Sequence, residues 1–550
     1  MLITRADTYD EVYNSFRWKL PARYNIAHDV CDRHAEDPGK IALIHETGDG
    51  GVDRYSFRRI REHANRLANT LVHLGLGRGD RVLIYLGQHP ATAITHVACW
   101  KAGMVSVPTS ILFGVDALEY RLQTCGAKVL LTDRANYPTA AAAQAKVPTL
   151  RHVLLVDGAE PNTLPFWDTI ARASDQFATL SLHPDDPAFL NFTSGTTGWP
   201  KGALQGHRSM LGHMPGFEFL YDFFPQEGDI IWSPADWAWL AGLMDVLMPA
   251  WFHGRPVLTY RGSAFDAEEA YRLIGKHKVR AALLTPTMLK LMRQVQGPLA
   301  RFDVKLRTVL SGGESVGKEL LDWASRTLGI QVNEGYGQTE CNLVLGNCGL
   351  VLRPKPGSLG RALPGHVAAI VDDQGSPLPA GAVGNIAFRR PDPVMLLEYW
   401  NNPQATAEKF AGDWLLTGDL GLCDEDGYFW FRGRADDVIT SSGYRIGPSE
   451  IEDALARHPA VAIAAVIGVP DPVRTESIKA FVMLAPGHAP SEALAEEIRL
   501  SVRARLAKHE YPRAIEFVDK LPMTTTGKIL RRELRARERE KAANPPARKE

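Results

Sequence analysis

Apolar residues in this chain gather in short β-branched runs, with helically spaced stretches between them. The run at 81–86 (RVLIYL) reads as a buried strand, and 89–102 follows it with helix-like spacing. Runs at 128–132 (KVLLT), 279–284 (VRAALL) and 306–310 (LRTVL) repeat the theme. Strands alternating with helices predict an α/β fold of parallel sheets covered by helices. The texture changes after residue 350. Gly and Pro become dense, and D-D-Q-G and P-A-G turns break the strands, which predicts an antiparallel, β-barrel-like subdomain. A second shift comes at 434–437. Beyond it the spacing predicts a helix over 448–458, a strand over 461–468, a helix over 491–509 and a strand over 515–518. These make about 100 residues, enough for a compact domain. The expected organisation is a large N-terminal domain over 1–435, a small α/β C-terminal domain over 436–535, and a charged tail over 536–550. Glu interleaved with Arg marks 535–550 as a frayed tail rather than a nucleic-acid arm.

Composition narrows the class. A chain of 550 residues exceeds one ordinary core, and 45% hydrophobic with 23% charged residues excludes a disordered or collagen-like protein. The formal net charge is -1, without the basic excess of a dedicated nucleic-acid binder. Six cysteines, none in a C-x-x-C pair, point to reduced thiols and away from a structural zinc. The N-terminus holds no apolar run of signal-peptide length. The most apolar later stretch, 240–252 (LAGLMDVLMPAWF), contains Asp245 and Pro249 and is too short to span a bilayer. A cytoplasmic protein is expected.

Six motifs carry chemistry. At 191–202 (NFTSGTTGWPKG), Thr193, Ser194, Gly195, Thr196, Thr197 and Gly198 are packed together and Lys201 follows. Glycines let the backbone approach an anion closely, and N–H and hydroxyl groups donate to phosphate oxygens. Gly202 after Lys201 excludes a Walker A loop. In 334–340 (EGYGQTE), Tyr336 can stack on a base, Thr339 can meet a phosphate, and Glu340 can hold Mg²⁺. The stretch 311–315 (SGGES) directly follows a strand, where ligands settle in open α/β sheets. Asp419 with 424–437 (DEDGYFWFRGRADD), then 442–450 (SGYRIGPSE) and 522–528 (PMTTTGK), complete the set. Each alone also reads as a turn or loop; the order and separations of all six are hard to produce by chance.

The set resembles the adenylate-forming superfamily, over about residues 24–535, and is most like the short- and medium-chain acyl-CoA synthetases in WSPADWAWLAG and S-G-Y-R-I-G-P. The resemblance implies an enzyme that activates a carboxylate with ATP as an acyl-adenylate and passes the acyl group to CoA. It implies that Thr193 to Lys201 cradle the β- and γ-phosphates, that Gly313, Glu314 and Ser315 line the adenine with Gly337 nearby, and that Tyr336 stacks on the base. Thr339 would touch the α-phosphate, Glu340 would ligate Mg²⁺, Asp419 and Arg434 would take the ribose, and Arg445 would meet phosphate. Lys528 would bridge carboxylate and α-phosphate during adenylation. The small domain of such enzymes rotates between the half-reactions, which places a hinge at Asp436 and brings Ser442 and Gly443 to the CoA arm.

Trp237, Trp239 and Gly242 lie where relatives have acyl-pocket residues, although three tryptophans within 232–239 also read as core packing. Acetate-specific relatives have a bulky Trp before Q-T-E. Gly337 stands there instead, leaving room for a longer chain or an aryl ring. The alternatives are an aryl-CoA ligase, a free-standing enzyme that loads a carrier protein, and a catalytically inactive nucleotide-binding protein. The last has no need of Lys528. The sequence names neither the acid nor the oligomeric state.

Overall fold

The computed structural model describes residues 1–193, 200–260, 262, 265–313, 316–434, 437, 439–441, 444–471, 475–503, 511–523 and 529–543. The chain divides into two compact units, Met1–Ala368 with Phe388–Leu415, and Ala369–Ala387 with Leu416–Glu550.

The first unit is built on two sheets. One has nine strands, with a parallel centre running Val332–Gln338, Thr308–Gly312, Ala281–Leu283, Ile231–Trp232, Val257–Tyr260, Ile41–Glu46. Antiparallel strands flank it, Cys341–Gly346 on one side and Val52–Ser56 on the other. The second sheet has eight strands. Its parallel part runs Pro187–Thr193, Val105–Pro108, Arg81–Ile84, Val129–Thr132, His152–Leu155, Leu164–Pro165. Lys201–Gly206 and Glu398–Tyr399 add to it antiparallel. Strands such as Val105–Pro108 and Val129–Thr132 are buried at every residue, which is why the chain shows unbroken apolar runs instead of alternation.

Two helices, Pro90–Lys101 and Ser209–Leu220, are also buried at every residue. Neither has a wet face, so neither shows a polar stripe. Phe57–His73 and Ala267–Lys276 bury one stripe each and show the usual helical alternation. In Ser209–Leu220 a Cβ on Gly212 would stand 2.4 Å from Val394 N, and one on Gly216 would stand 2.7 Å from Leu343 O, so main chain crosses the helix at both places. The apolar stretch 240–252 is a buried helical segment ending in Met248–Phe252, and Trp251 donates to Ala42 O at 2.7 Å. Among the described residues no helix is long and apolar enough to cross a membrane.

At the end of Ile41–Glu46, the buried Glu46 carboxylate accepts from Arg272 Nη2 at 2.6 Å, lies 3.0 Å from Lys276 Nζ, and pairs with His277. Burial alone would raise its pKa. The hydrogen bonds from His277, Arg272 and Lys276 together outweigh burial and hold it below the ordinary carboxylate value of 4.5. A depressed folded pKa means stabilisation that is present above the unfolded value and lost as pH falls through the folded one. Glu46→Gln should therefore cost about 3 kcal/mol at neutral pH, the low end for a broken buried pair because Arg272 and Lys276 stay partly in water. It should also flatten the loss of stability below pH 4.5. Melting temperature against pH reads both; an acid limb as steep as the wild type's rejects the assignment.

In the second unit the Gly- and Pro-dense stretch forms the expected strands. Trp414–Cys423 pairs antiparallel with Phe429–Arg434, in one sheet with Ala368–Val371 and Gly384–Arg389. The C-terminal portion has the predicted α/β pattern. Pro448–Ala456 and Glu492–Arg503 are its helices, and Val461–Asp471 pairs with Thr475–Leu484, which pairs parallel with Ala514–Phe517. One expectation is corrected. Residues 535–543, read as a frayed tail, belong to a helix, Arg531–Ala543. Its single apolar anchor, Leu534, is buried with Ile467, Phe481 and Leu521. Its charges have partners elsewhere in the unit: Arg531 with Glu452 at 2.6 Å, Arg535 with Asp437 at 2.6 Å, and Glu538 with Lys479 at 2.7 Å. One leucine among nine charged residues leaves no visible stripe, and the partners are remote in sequence.

Candidate active site

The ends of the 191–202 motif form a strand pair. Pro187–Thr193 and Lys201–Gly206 pair antiparallel, with Thr193 opposite Lys201 and Thr193 Oγ1 donating to Lys201 O at 3.3 Å. Ser194, Gly195, Thr196 and Thr197, in the connection, lie outside the described residues. The helix Val115–Cys125 meets both ends of that connection. Tyr120 Oη donates to Pro200 O at 2.9 Å, and the buried Arg121 guanidinium lies 3.7 Å from the Phe113 ring centre and 5.5 Å from that of Phe192. Burial lowers the Arg121 pKa to about 10, so it stays charged at neutral pH.

Thr339 and Glu340 form the tight turn between Val332–Gln338 and Cys341–Gly346, with Gln338 opposite Cys341. Two side chains from the second sheet reach this turn. Gln205 Nε2 donates to Thr339 O at 2.7 Å, and Tyr399 Oη donates to Glu340 Oε1. Tyr399 pairs with Ala203 in the strand that Lys201 begins, and Lys201 Nζ lies 5.4 Å from the centre of the Tyr399 ring. Lys201, Tyr399, Glu340 and Thr339 are thereby brought to one place. Glu340 is mostly buried, and its second carboxylate oxygen takes no hydrogen bond among the described residues. A hard, fixed carboxylate oxygen suits Mg²⁺, which takes one or two carboxylates and fills its shell with water and phosphate.

Gly313 and Tyr336 also come together. Gly312 pairs with Gly335 across adjacent parallel strands, and the two residues follow one step on. Gly313 has φ +84° with open space around its Cα, so the left-handed turn, not crowding, requires glycine. The Tyr336 ring stacks with Phe388 at 6.4 Å. Glu314 and Ser315 lie outside the described residues. Gly337 has a steric reason to be glycine: a Cβ there would stand 2.5 Å from Leu343 N and 2.7 Å from Asn342 Cα.

The segment before the 240–252 helix is a braced turn. Gln88 Nε2 donates to Ser233 O at 2.8 Å and Ala235 O at 2.7 Å, and Asn191 Nδ2 donates to Ala238 O at 3.2 Å. Within it Trp237 is fully buried. Trp239 keeps part of its surface open and packs edge-on against Phe113 at 6.0 Å. Gly242 closes the turn: a Cβ there would stand 2.6 Å from Asp236 O.

In the second unit, Asp419 and Arg434 face each other across the Trp414–Cys423 and Phe429–Arg434 ladder, and Arg434 Nη1 donates to Asp419 Oδ1 at 2.7 Å. Arg445 lies on the strand Tyr444–Ile446. Asp436, Ser442, Gly443 and Lys528 lie outside the described residues. Sequence reading missed Tyr399, Gln205, Gln88 and Arg121. Tyr399 is 59 residues from Glu340, in a stretch with no local signature, and only the pairing of the two strands brings it there.

The pattern of the AMP-binding enzyme family matches residues 31–400, and that of the AMP-binding enzyme C-terminal domain matches 450–528. The acetyl-coenzyme A synthetase of Bacillus subtilis (strain 168) is 36% identical over 546 residues, covering 96% of this chain and 94% of that protein. The mitochondrial acyl-coenzyme A synthetase ACSM5 of Rattus norvegicus is 37% identical over 537 residues, covering 94% and 91%. Among solved structures, the anthranilate CoA ligase AuaEII in complex with anthranoyl-AMP superposes with a TM-score of 0.87 at 30% identity, covering 95% of this chain and 99% of that one.

Proposed function

The chain belongs to the AMP-binding enzyme family as an AMP-forming acyl-CoA ligase, and from that premise we propose that it activates a short- or medium-chain carboxylic acid, with Mg-ATP and CoA as co-substrates. The observation that supports the assignment of the site is the convergence of Lys201, Tyr399, Glu340 and Thr339 at the end of one hairpin. The chemical difficulty is charge, because an anionic carboxylate must attack the α-phosphate of an anionic nucleotide. Cations and aimed donors must stand where charge builds up.

In this reading the 193–201 hairpin, including Ser194, Gly195, Thr196 and Thr197, holds the outer phosphates with Lys201 as its fixed cation. Thr339 positions the α-phosphate. Mg²⁺ on Glu340 would neutralise phosphate charge, and Tyr399 orients that carboxylate. Gly313, Glu314, Ser315 and Tyr336 receive the adenine, Asp419 and Arg434 the ribose, and Arg445 a phosphate. Lys528 serves adenylation, and the domain over 436–535 turns about Asp436 to bring Ser442 and Gly443 to CoA. Trp237, Trp239, Gly242 and Gly337 border the acyl group. The likeness to an acetyl-coenzyme A synthetase favours an alkanoate. An aryl acid is the second reading, favoured by the half-open Trp239–Phe113 wall and the likeness to an anthranilate CoA ligase. The buried thiols of Cys31, Cys99, Cys125, Cys341 and Cys348 favour a reducing, cytoplasmic setting.

The test is pyrophosphate release with Mg-ATP across acetate to octanoate and benzoate, with and without CoA. CoA-dependent turnover with a maximum at one acid is expected. Release without CoA-dependent turnover would indicate a carrier-loading enzyme, and ATP binding with no release from any acid would indicate an inactive nucleotide binder.

A further inference from the structure

The helical stretch 240–252 is apolar except at Asp245. This residue is 5% exposed, and Asn342 Nδ2 donates to its Oδ1 at 2.5 Å. Burial holds the Asp245 carboxyl well above the usual carboxylate range, although Asn342 opposes the shift. Burial thereby favours its protonated form, which has one O–H to donate and an oxygen to accept. Asn342 is itself buried, and its Oδ1 lies 2.8 Å from where a Gly337 Cβ would be. Gly242 precedes Asp245 by one helical turn on the same stretch. The polar pair therefore stands beside Gly242 and Gly337, both proposed above to border the acyl group.

Two further points speak against a plain structural tie. Removing a polar pair from water is costly, and apolar side chains of the same volume hold helix to hairpin at least as well. The pair is also unsaturated. Asp245 Oδ2 and Asn342 Oδ1 take no other partner among the described residues, yet neither is sealed away as Asn191 Oδ1 is.

We propose that Asp245 and Asn342 form a polar wall of the acyl site and select an acid that carries a hydroxyl or amino group remote from its carboxylate. This rests on the ligase reading and refines its substrate class. A site built to hydrogen-bond a substituent rejects the analogue lacking it far more strongly than an apolar pocket rejects an added hydroxyl.

The experiment compares kcat/KM for matched acids that differ by one polar group: pentanoate with 4-hydroxybutanoate, hexanoate with 5-hydroxypentanoate, and benzoate with 2- and 3-aminobenzoate. The wild type should prefer a polar member by at least about tenfold. Asp245→Leu and Asn342→Leu, which keep the branched outline without the polar atoms, should abolish or invert that preference. Asp245→Asn, which still donates and accepts, should keep it, whereas loss of a merely structural tie would slow all acids alike. Preference for the plain acid in every wild-type pair overturns the proposal even if a leucine variant fails to fold, as does an unchanged ratio in folded leucine variants. Absence of turnover with every acid, ATP and CoA overturns instead the ligase reading beneath it.

Discussion

Lys528→Ala should reduce acyl-adenylate formation by about 10²–10³-fold, while thioester formation from supplied acyl-adenylate continues at near the wild-type rate. Two anions approach each other in the first half-reaction only, so a bridging ammonium is needed there and has no task once the adenylate exists. The C-terminal family match runs from 450 to this residue, in the motif PMTTTGK. Pyrophosphate exchange reads the first half-reaction, and CoA thioester formation from synthetic adenylate reads the second. Equal loss in both would mean that Lys528 supports the domain and not the bond-forming step.

Glu340→Gln should lower adenylation by a similar two to three orders of magnitude, with the melting temperature little changed. The amide preserves the volume and still accepts from Tyr399 Oη, so the turn between Val332–Gln338 and Cys341–Gly346 is kept. What it loses is the charge that a phosphate-bound Mg²⁺ requires. Raising Mg²⁺ should recover part of the rate. Tyr399→Phe should give a smaller loss, about tenfold, because it frees the carboxylate without discharging it. A Gln variant with wild-type kcat and an unchanged Mg²⁺ requirement would remove Glu340 from the metal site.

The two losses differ in their dependence on structure. Lys528 is predicted from a local motif alone. The Glu340 argument gains its partner, Tyr399, and its neighbour, Lys201, only from the pairing of Glu398–Tyr399 with the strand Lys201–Gly206. Gly337 shows the reverse. From sequence, its small size means pocket volume; in the fold, the main chain of Asn342 and Leu343 passes where its Cβ would be. An added side chain there would have to displace backbone before it could shorten a pocket.

Local structure was legible in the chain itself. Apolar runs such as RVLIYL identify strands because a strand buried on both faces admits no polar alternation, and Gly-rich motifs such as TSGTTG and GYGQTE nominate anion and base contacts because such contacts need exposed main-chain donors and close approach. The small C-terminal α/β pattern was legible for the same reason, each of its elements having its own period. Tertiary structure alone decided the rest: which sheet each strand joins, that Gln205 and Tyr399 reach the turn at 339–340, that Asp245 meets Asn342, and that the charged residues after 530 form a helix. These depend on pairs 59 to 134 residues apart and on ion pairs such as Arg535–Asp437. Such contacts arise from packing between elements, which leaves no period or motif in the chain at either partner.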